Sequence, residues 1–371
     1  MIKVCHITSA HPKADIRIFQ KECISLANAG YDVTLVQQGE DSEQSGVHII
    51  GFGDIPANRL KRMLFTAKRA YKKALDVDAE VYHLHDPELL PYGLKLKRKG
   101  KKVIFDSHED VPADILCKYW IPAWLRKFIS RVYTWYENYC FARIDGTVGV
   151  TPSLCTRLTQ NSRKSTMVTN YPVWQEDTIT PTFENKSVAF TGLVSEIWCI
   201  DTLVKAVEPL DEVTVELRSR DVEEPFGSVL RDLPGWKKVN FPGRVPHAEV
   251  IKLLSECLCG IALLQEMPNS GGKLGTLGNT KIFEYMMVGI PVICTDFILW
   301  KQIIDKWQCG ICVNPKDENE VRAAIKFLLE HPEEAQRMGQ NGRQAIREEF
   351  NWEQEEKKLF AFYREILGQG V

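Results

Sequence analysis

Lys281 and Glu284 stand at the start of a helical run that follows a glycine-rich loop containing Gly271, Gly272, Gly275 and Gly278. From Thr280 to Val288 the spacing is helical, with Ile282, Phe283 and Met286 on one side. Gly289 then caps the helix and Pro291 opens a buried strand. A helix that begins on such a loop offers unpaired backbone N–H groups and the positive end of its dipole to whatever lies ahead of it, which makes an anion site. The backbone of Gly278, Asn279 and Thr280, with the ammonium of Lys281 in the first turn, suits phosphate. Glu284, one turn on, can aim a carboxylate at a vicinal diol. Phosphate together with ribose means a nucleotide. The plainer reading of the run is an ordinary strand, helix, strand unit with a glycine cap.

The run from Asn279 to Met286 (NTKIFEYM) resembles the donor-nucleotide motif of the family 4 glycosyltransferases, in their bacterial surface-polysaccharide branch (capsule, O-antigen, exopolysaccharide). The resemblance implies that Glu284 holds the ribose hydroxyls of a nucleotide-sugar. The family's wider motif has a second glutamate eight residues earlier, facing the donor sugar, and Thr276 occupies that place here. The basic pair that neutralises the donor diphosphate in the family is also missing. Leu193 stands at the first place and Ile197-Trp198-Cys199 in the region of the second. A leaving diphosphate needs fixed donors aimed at its developing charge. Arg218, Arg220, Arg244 and Lys281 are the candidate substitutes.

Two further polar clusters follow predicted strands: His85-Asp86-Pro87 after Glu80 to Leu84, and Asp106-Ser107-His108-Glu109 after Lys102 to Phe105. In an open parallel sheet the carboxyl edge is where ligands bind. The resemblance implies that His108 points toward the donor sugar, which makes His108 and Glu284 the candidate catalytic residues. The alternative for His108 is a histidine that only ties its loop together. The opening loop, His11-Pro12-Lys13-Ala14-Asp15-Ile16-Arg17, is similar to the start of these polysaccharide enzymes. Arg17, His85, Asp86 and Glu109 are then candidates for the acceptor side, and the alternative for Arg17 is a surface salt bridge with Asp15.

The elements that must position these residues alternate between strand and helix through the whole chain, the pattern of parallel α/β domains. Residues 2–8 form the first strand, a helix runs through Ala29 to Gly30, and 32–36 is the second strand. The turn between them lacks the three-glycine dinucleotide fingerprint, which disfavours a nicotinamide enzyme. Residues 1–170 read as the N-terminal, acceptor-side domain, and 171–186, polar and aperiodic with Pro172 and Pro181, as a linker. Residues 187–351 read as the nucleotide-sugar domain. Residues 352–371 read as a final amphipathic helix, which in the family crosses back to the first domain. The expected fold is α/β, two doubly wound Rossmann-like domains facing across a cleft, the GT-B arrangement.

A chain of 371 residues has room for two cores. No apolar run approaches the roughly 18 residues of a membrane span, and residues 1–7 read as a strand and not as a signal peptide, so the expected location is the cytoplasm. The 11 cysteines are scattered, as buried free thiols would be. Cys309 and Cys312 have redox or zinc spacing but no second pair nearby. The net charge of −2 hides an asymmetry: residues 1–170 carry 25 Lys and Arg against 18 Asp and Glu, and residues 171–371 carry 22 against 31. The first half therefore faces something anionic or simply has a solvated basic surface. Residues 58–75 form a basic helix with Arg59, Lys61, Arg62, Lys68, Arg69, Lys72 and Lys73. Residues 117–143 interleave bases with Tyr119, Trp120, Trp124, Phe128 and Trp135, a composition suited to a membrane interface or to packing on a sheet. Aromatic and basic residues also suit single-stranded nucleic acid, but no binding-fold motif supports that partner.

The reading is a retaining, metal-independent glycosyltransferase. It moves a sugar from a UDP- or GDP-sugar to a hydroxyl of a growing, lipid-linked polysaccharide at the inner face of the membrane. The alternatives are a non-catalytic binding or scaffold partner with the same fold and a nucleotide-sugar epimerase. The substrate pair would be the nucleotide-sugar and a saccharide or polyprenyl-diphosphate-linked saccharide, with no cofactor, no metal and no nucleic acid.

Overall fold

The computed structural model describes residues 1–55, 65–176, 180–219 and 222–369. Arg59, Lys61, Arg62 and Arg220 lie outside the described residues. The chain divides into two compact units: Met1–Asn170 with Trp352–Val371, and Tyr171–Asn351. The segment read as a linker clusters with the second unit, where buried Tyr171 packs edge-on against Phe283 and Phe350.

The first unit is built on an eight-stranded sheet. Its strands are β1 (Lys3–Ile7), β2 (Asp32–Gln37), β3 (Ser42–Gln44), β4 (Val47–Gly51), β5 (Val81–Leu84), β6 (Lys102–Ser107), β7 (Gly146–Gly149) and β8 (Ser165–Met167). Their order is β3-β4-β2-β1-β5-β6-β7-β8, and every pair is parallel except the β3–β4 edge. Strand alternation sends Cys5, Ile7, Tyr82, Leu84 and Phe105 to one apolar layer and Val4, Val81 and Ile104 to the other. His6, His83 and Asp106, two residues on from Val4, Val81 and Ile104, fall on that second face. His6 and His83 are cross-strand neighbours. The face is covered by the helical stretch Ile16–Asn28 and by the final helix Trp352–Leu367, whose Trp352, Leu359, Phe362 and Tyr363 are buried in it. Gly146 has no side chain because a Cβ there would lie 2.5 Å from the Phe362 ring.

The second unit carries a six-stranded, wholly parallel sheet: β9 (Asn185–Thr191), β10 (Thr214–Arg218), β11 (Val239–Asn240), β12 (Cys257–Ala262), β13 (Val292–Thr295) and β14 (Gly310–Val313), in the order β11-β10-β9-β12-β13-β14. Both sheets are doubly wound. Strand order reverses direction between β1 and β5 in the first and between β9 and β12 in the second, the switch points where such sheets bind ligands. Cys309 and Cys312 do not pair. Cys312 Sγ instead lies 4.0 Å from Cys294 Sγ on the neighbouring strand.

Candidate active site

The helix of the opening motif spans Lys281–Val288, and Gly289 ends it in the left-handed conformation (φ 92°), donating its N–H to Tyr285 and Met286 carbonyls. Tyr285 locks this helix to the sheet. Its ring lies so close to β12 that a Cβ at Gly260 would come within 2.2 Å of it, and its hydroxyl accepts from Thr191 N–H (3.4 Å) at the end of β9. The helix start is thereby fixed beside the Gly192 turn, at the switch point of the sheet.

There the side chain of Lys281 runs back over the turn. A Cβ at Gly192 would lie 2.4 Å from Lys281 Nζ, so only glycine leaves room for the ammonium. Nζ stands 4.5 Å from the centroid of the Trp198 ring and 5.5 Å from that of Phe190. Burial draws its pKa below the usual lysine range, against the pull of the Glu284 charge. Among the described residues no carboxylate forms a salt bridge with it. A cation held on aromatic faces and withheld from a counter-ion needs an anionic partner to offset its desolvation. Trp198 lies in the stretch where the resemblance places the second base of the missing pair. An indole stands there instead, and it supports the Lys281 ammonium.

A recess of about 340 Å³ opens at the same turn, lined by Gly192, Leu193, Arg218, Ser219, Arg244 and Val245. Of the proposed substitute cations, Arg244 is exposed at its wall. Arg218 is partly committed, donating to Glu216 (2.7 Å) and to the Leu217 and Asn240 carbonyls. Glu284 is half-buried and accepts from Thr280 Oγ1 (2.8 Å). Asn279 Oδ1 accepts from Lys281 N–H (3.1 Å), and Thr276 Oγ1 accepts from Gly278 N–H (3.0 Å). The Thr276 carbonyl accepts from Trp300 Nε1 (2.6 Å). Thr276, Gly278 and Asn279 thus brace the loop that precedes the helix.

In the first unit the predicted residues gather at the carboxyl edge of β1, β5 and β6, but most are buried. Arg17 is not on the surface and does not pair with Asp15, whose carboxylate caps its own helical turn by accepting from Arg17 and Ile18 N–H groups. The Arg17 guanidinium is 4% exposed and forms a fork with Asp106 (Nε–Oδ2 2.8 Å, Nη2–Oδ1 2.9 Å), while Nη1 donates to the Val168 carbonyl (2.9 Å). Its hydrogen bonds to Asp106 and Val168 are thus used inside the fold. Asp86 is buried too. It accepts from Thr8 Oγ1 (2.8 Å) and Ser9 N–H (2.6 Å) and faces His11 Nδ1 at 3.1 Å. Burial pushes its pKa up, but the His11 contact and these hydrogen bonds outweigh burial and hold it at about 2.

His85 Nδ1 lies 3.2 Å from His108 Nε2 and 3.4 Å from Asp106 Oδ2, and His108 Nε2 is 3.1 Å from the same Asp106 oxygen. Burial drives His85 down to about 4 and His6 and His83 well below the usual histidine range, so these rings are neutral near pH 7. His108 is the partly open member, its side chain 18% exposed, so its Nε2 is held from beneath and the rest of the ring faces outward. Glu109 is exposed beside it. Sequence reasoning missed Gly192 and Trp198 as supports of Lys281, and missed His6, Glu22, His83 and Tyr363. The available signal was polar residues at strand positions whose alternation demands burial.

Two family models match the chain: the glycosyltransferase family 4 model over residues 22–170 and the glycosyl transferases group 1 model over residues 222–345. An MMP alpha-(1->4)-mannosyltransferase of Mycolicibacterium hassiacum is 24% identical over 309 residues, covering 77% of this chain and 71% of the relative. Among solved structures, a sucrose-phosphate synthase from Thermosynechococcus elongatus superposes with TM-score 0.77 over the whole of both chains at 16% identity. Anabaena Alr3699/HepE, solved in complex with UDP and glucose, superposes with TM-score 0.70 at 13% identity, covering 98% of this chain and 100% of its own. With one unit matched by each of these glycosyltransferase models and the fold shared with these structures, the chain belongs to the family 4 glycosyltransferases and has the GT-B fold.

Proposed function

We propose that the enzyme transfers a hexose from a nucleotide-sugar, with retention of configuration, to a lipid-linked saccharide of a surface polysaccharide. The observation that carries the donor half is Lys281, a buried, unpaired ammonium at the Gly192 turn, next to Glu284 and the recess with Arg244. On this reading Lys281 and Arg244 take the diphosphate, the amides of Asn279 and Thr280 add to them, and Glu284 exchanges its Thr280 contact for ribose hydroxyls. The diphosphate, once charged by departure of the sugar, is stabilised by these fixed cations without a metal. The leaving diphosphate also assists deprotonation of the incoming hydroxyl. His108, steadied by Asp106 and His85, orients the sugar, while His85 and Asp86 shape the acceptor side from within. Support for UDP comes from HepE, which is similar in fold; the mannosyltransferase relative supports GDP-mannose as the other donor to test.

The test is nucleotide release from UDP- and GDP-sugars, with and without saccharide acceptors, in buffers with and without magnesium. Release that needs an acceptor and ignores magnesium is expected. Glu284→Ala should abolish donor binding in calorimetry while leaving the thermal transition in place, because its carboxylate is a ligand contact. Tight binding without turnover of any acceptor would return the scaffold reading, and a new nucleotide-sugar without an acceptor would mean epimerisation.

The lipid half rests on the first unit's surface. Helix Ala123–Phe141 leaves Trp124, Phe128, Val132, Trp135 and Tyr139 exposed at helical spacing, with Trp124 74% and Trp135 70% open. Lys127 and Arg131 are exposed on the same helix, and helix Ala67–Val77 exposes Lys68, Arg69, Lys72 and Lys73 while burying Ala67, Ala70, Tyr71 and Ala74. The aromatic helix thus keeps this stripe off the sheet. Indoles beside bases fit the headgroup region of an anionic bilayer, and no helix among the described residues is long and apolar enough to cross one. The protein should sediment with anionic vesicles, and replacing Lys68, Arg69, Lys72 and Lys73 by glutamine should weaken this while sparing nucleotide binding. Equal sedimentation with neutral and anionic vesicles, or none with either, would reduce these charges to a solvated face.

A further inference from the structure

The buried polar face of the first unit holds a second constellation, which shares only His85 with the site already described. Strand alternation and parallel pairing bring His6 Nδ1 to 2.9 Å from His85 Nε2, and the covering helix lowers Glu22 between them. Glu22 Oε2 lies 3.9 Å from His6 Nδ1, 3.9 Å from His83 Nδ1 and 4.0 Å from His85 Nε2. All four side chains are fully buried.

Among the described residues, neither oxygen of Glu22 has a hydrogen-bond partner. Oε1 lies 3.2 Å from Arg17 Nε, but that N–H donates to Asp106. One guanidinium therefore stands against two buried carboxylates, so the group needs either a proton on Glu22 or a further cation to balance it. An unbalanced buried carboxylate is among the costliest groups a core can hold. From this convergence we propose that His6, His83, His85 and Glu22 form a four-coordinate site for a divalent transition-metal ion of the zinc class.

Three imidazole nitrogens and one carboxylate oxygen are a donor set that zinc accepts. Bonds of about 2.0 Å in a tetrahedron place donors about 3.3 Å apart, and the four donor atoms here all lie within 4.8 Å of one another, with His6 and His85 at 2.9 Å. The outer partners are in place as well. Asp106 lies 3.4 Å from His85 Nδ1, the carboxylate behind a ligating histidine that fixes its tautomer. Tyr363 Oη lies 3.2 Å from His6 Nε2 and 2.9 Å from His83 Nδ1, so the final helix closes the shell, and Tyr363 must yield His83 Nδ1 to the ion. The ion would join β1, β5 and the first helix to the final helix and offset the buried charge. This role goes beyond the transfer reaction, and its failure would leave the donor-site reading untouched.

The full chain, produced in zinc-containing medium and freed of loose metal, is expected to carry about one zinc per chain by elemental analysis. Unfolded with chelator and refolded with Co(II), it should show the intense visible bands of four-coordinate cobalt. Refolded without metal, it should melt at a lower temperature. Glu22→Gln and His83→Gln should each lower cobalt occupancy by about tenfold or more. If either variant fails to fold, the cobalt spectrum of the unaltered chain decides alone. Less than about a tenth of an equivalent, both as isolated and after refolding with zinc or cobalt, would overturn the site and assign the balancing charge to a proton on Glu22. Full occupancy retained in both folded variants would overturn it equally, since the ion would then sit elsewhere.

Discussion

Arg17 and Lys281 are both cations withdrawn from water near the carboxyl edge of a parallel sheet, and the fold treats them in opposite ways. Arg17 is tied by a fork to Asp106 and by a third hydrogen bond to Val168, and the Asp106 carboxyl is held well below its usual range chiefly by the Arg17 charge working against burial. Lys281 rests on Trp198 and Phe190 with no carboxylate salt bridge among the described residues, and burial draws its pKa down. A buried cation whose hydrogen bonds all end inside the fold shapes the fold. One whose partner is withheld is the stronger candidate for a ligand contact. The same test separates the histidines: His6, His83 and His85 are enclosed, while the side chains of His108 and His11 are 18% and 24% exposed.

The comparison is broken most severely at Asp106. Asp106→Ala removes both hydrogen bonds of the fork and leaves the buried Arg17 guanidinium only Glu22 Oε1 at 3.2 Å, which should cost about 3 kcal/mol in chemical denaturation. A loss below about 1 kcal/mol would show that water reaches Arg17 and that the pair is a surface one. Lys281→Met should do the reverse, leaving the denaturation midpoint unchanged or raised while kcat/KM falls about 10²- to 10³-fold, the effect of losing one fixed donor to a developing charge. An activity loss matched by a stability loss would make Lys281 a structural residue like Arg17.

The smaller effect is acid lability confined to the first unit. His85 has a folded pKa of about 4 against an ordinary value of 6.5, so the unfolded chain binds the extra proton between those values. Its contribution is complete above pH 6.5 and is lost as pH falls toward 4, at about 1.4 kcal/mol per pH unit. His6 and His83 are displaced in the same direction. Titration from pH 7 to pH 4 should therefore weaken the first unit well before the second, read by limited proteolysis with assignment of the cleaved segments. Simultaneous loss of both units would mean that the buried histidines do not govern acid stability.

Short-range chemistry made the strands, the helix of Lys281 to Val288, its Gly289 cap and the alternation of two α/β units legible in the sequence, because each depends on neighbours within a turn or a strand. That Gly192 would make room for Lys281, and Trp198 carry it, was not legible. Gly192 and Trp198 share one turn, but Lys281 stands 83 residues beyond Trp198 and reaches them only through the parallel pairing of β9 with β12 and the anchoring of Tyr285 between them. Arg17 shows the same limit from the other side. Its spacing from Asp15 suggested a surface pair, but burial beneath the final helix and β6 gave it Asp106, 89 residues away. The sequence by itself determined which elements form and which chemical groups they carry. Tertiary structure decided which of those groups are neutralised within the fold and which are left for a ligand, since burial and charge pairing are set by residues that only folding brings together.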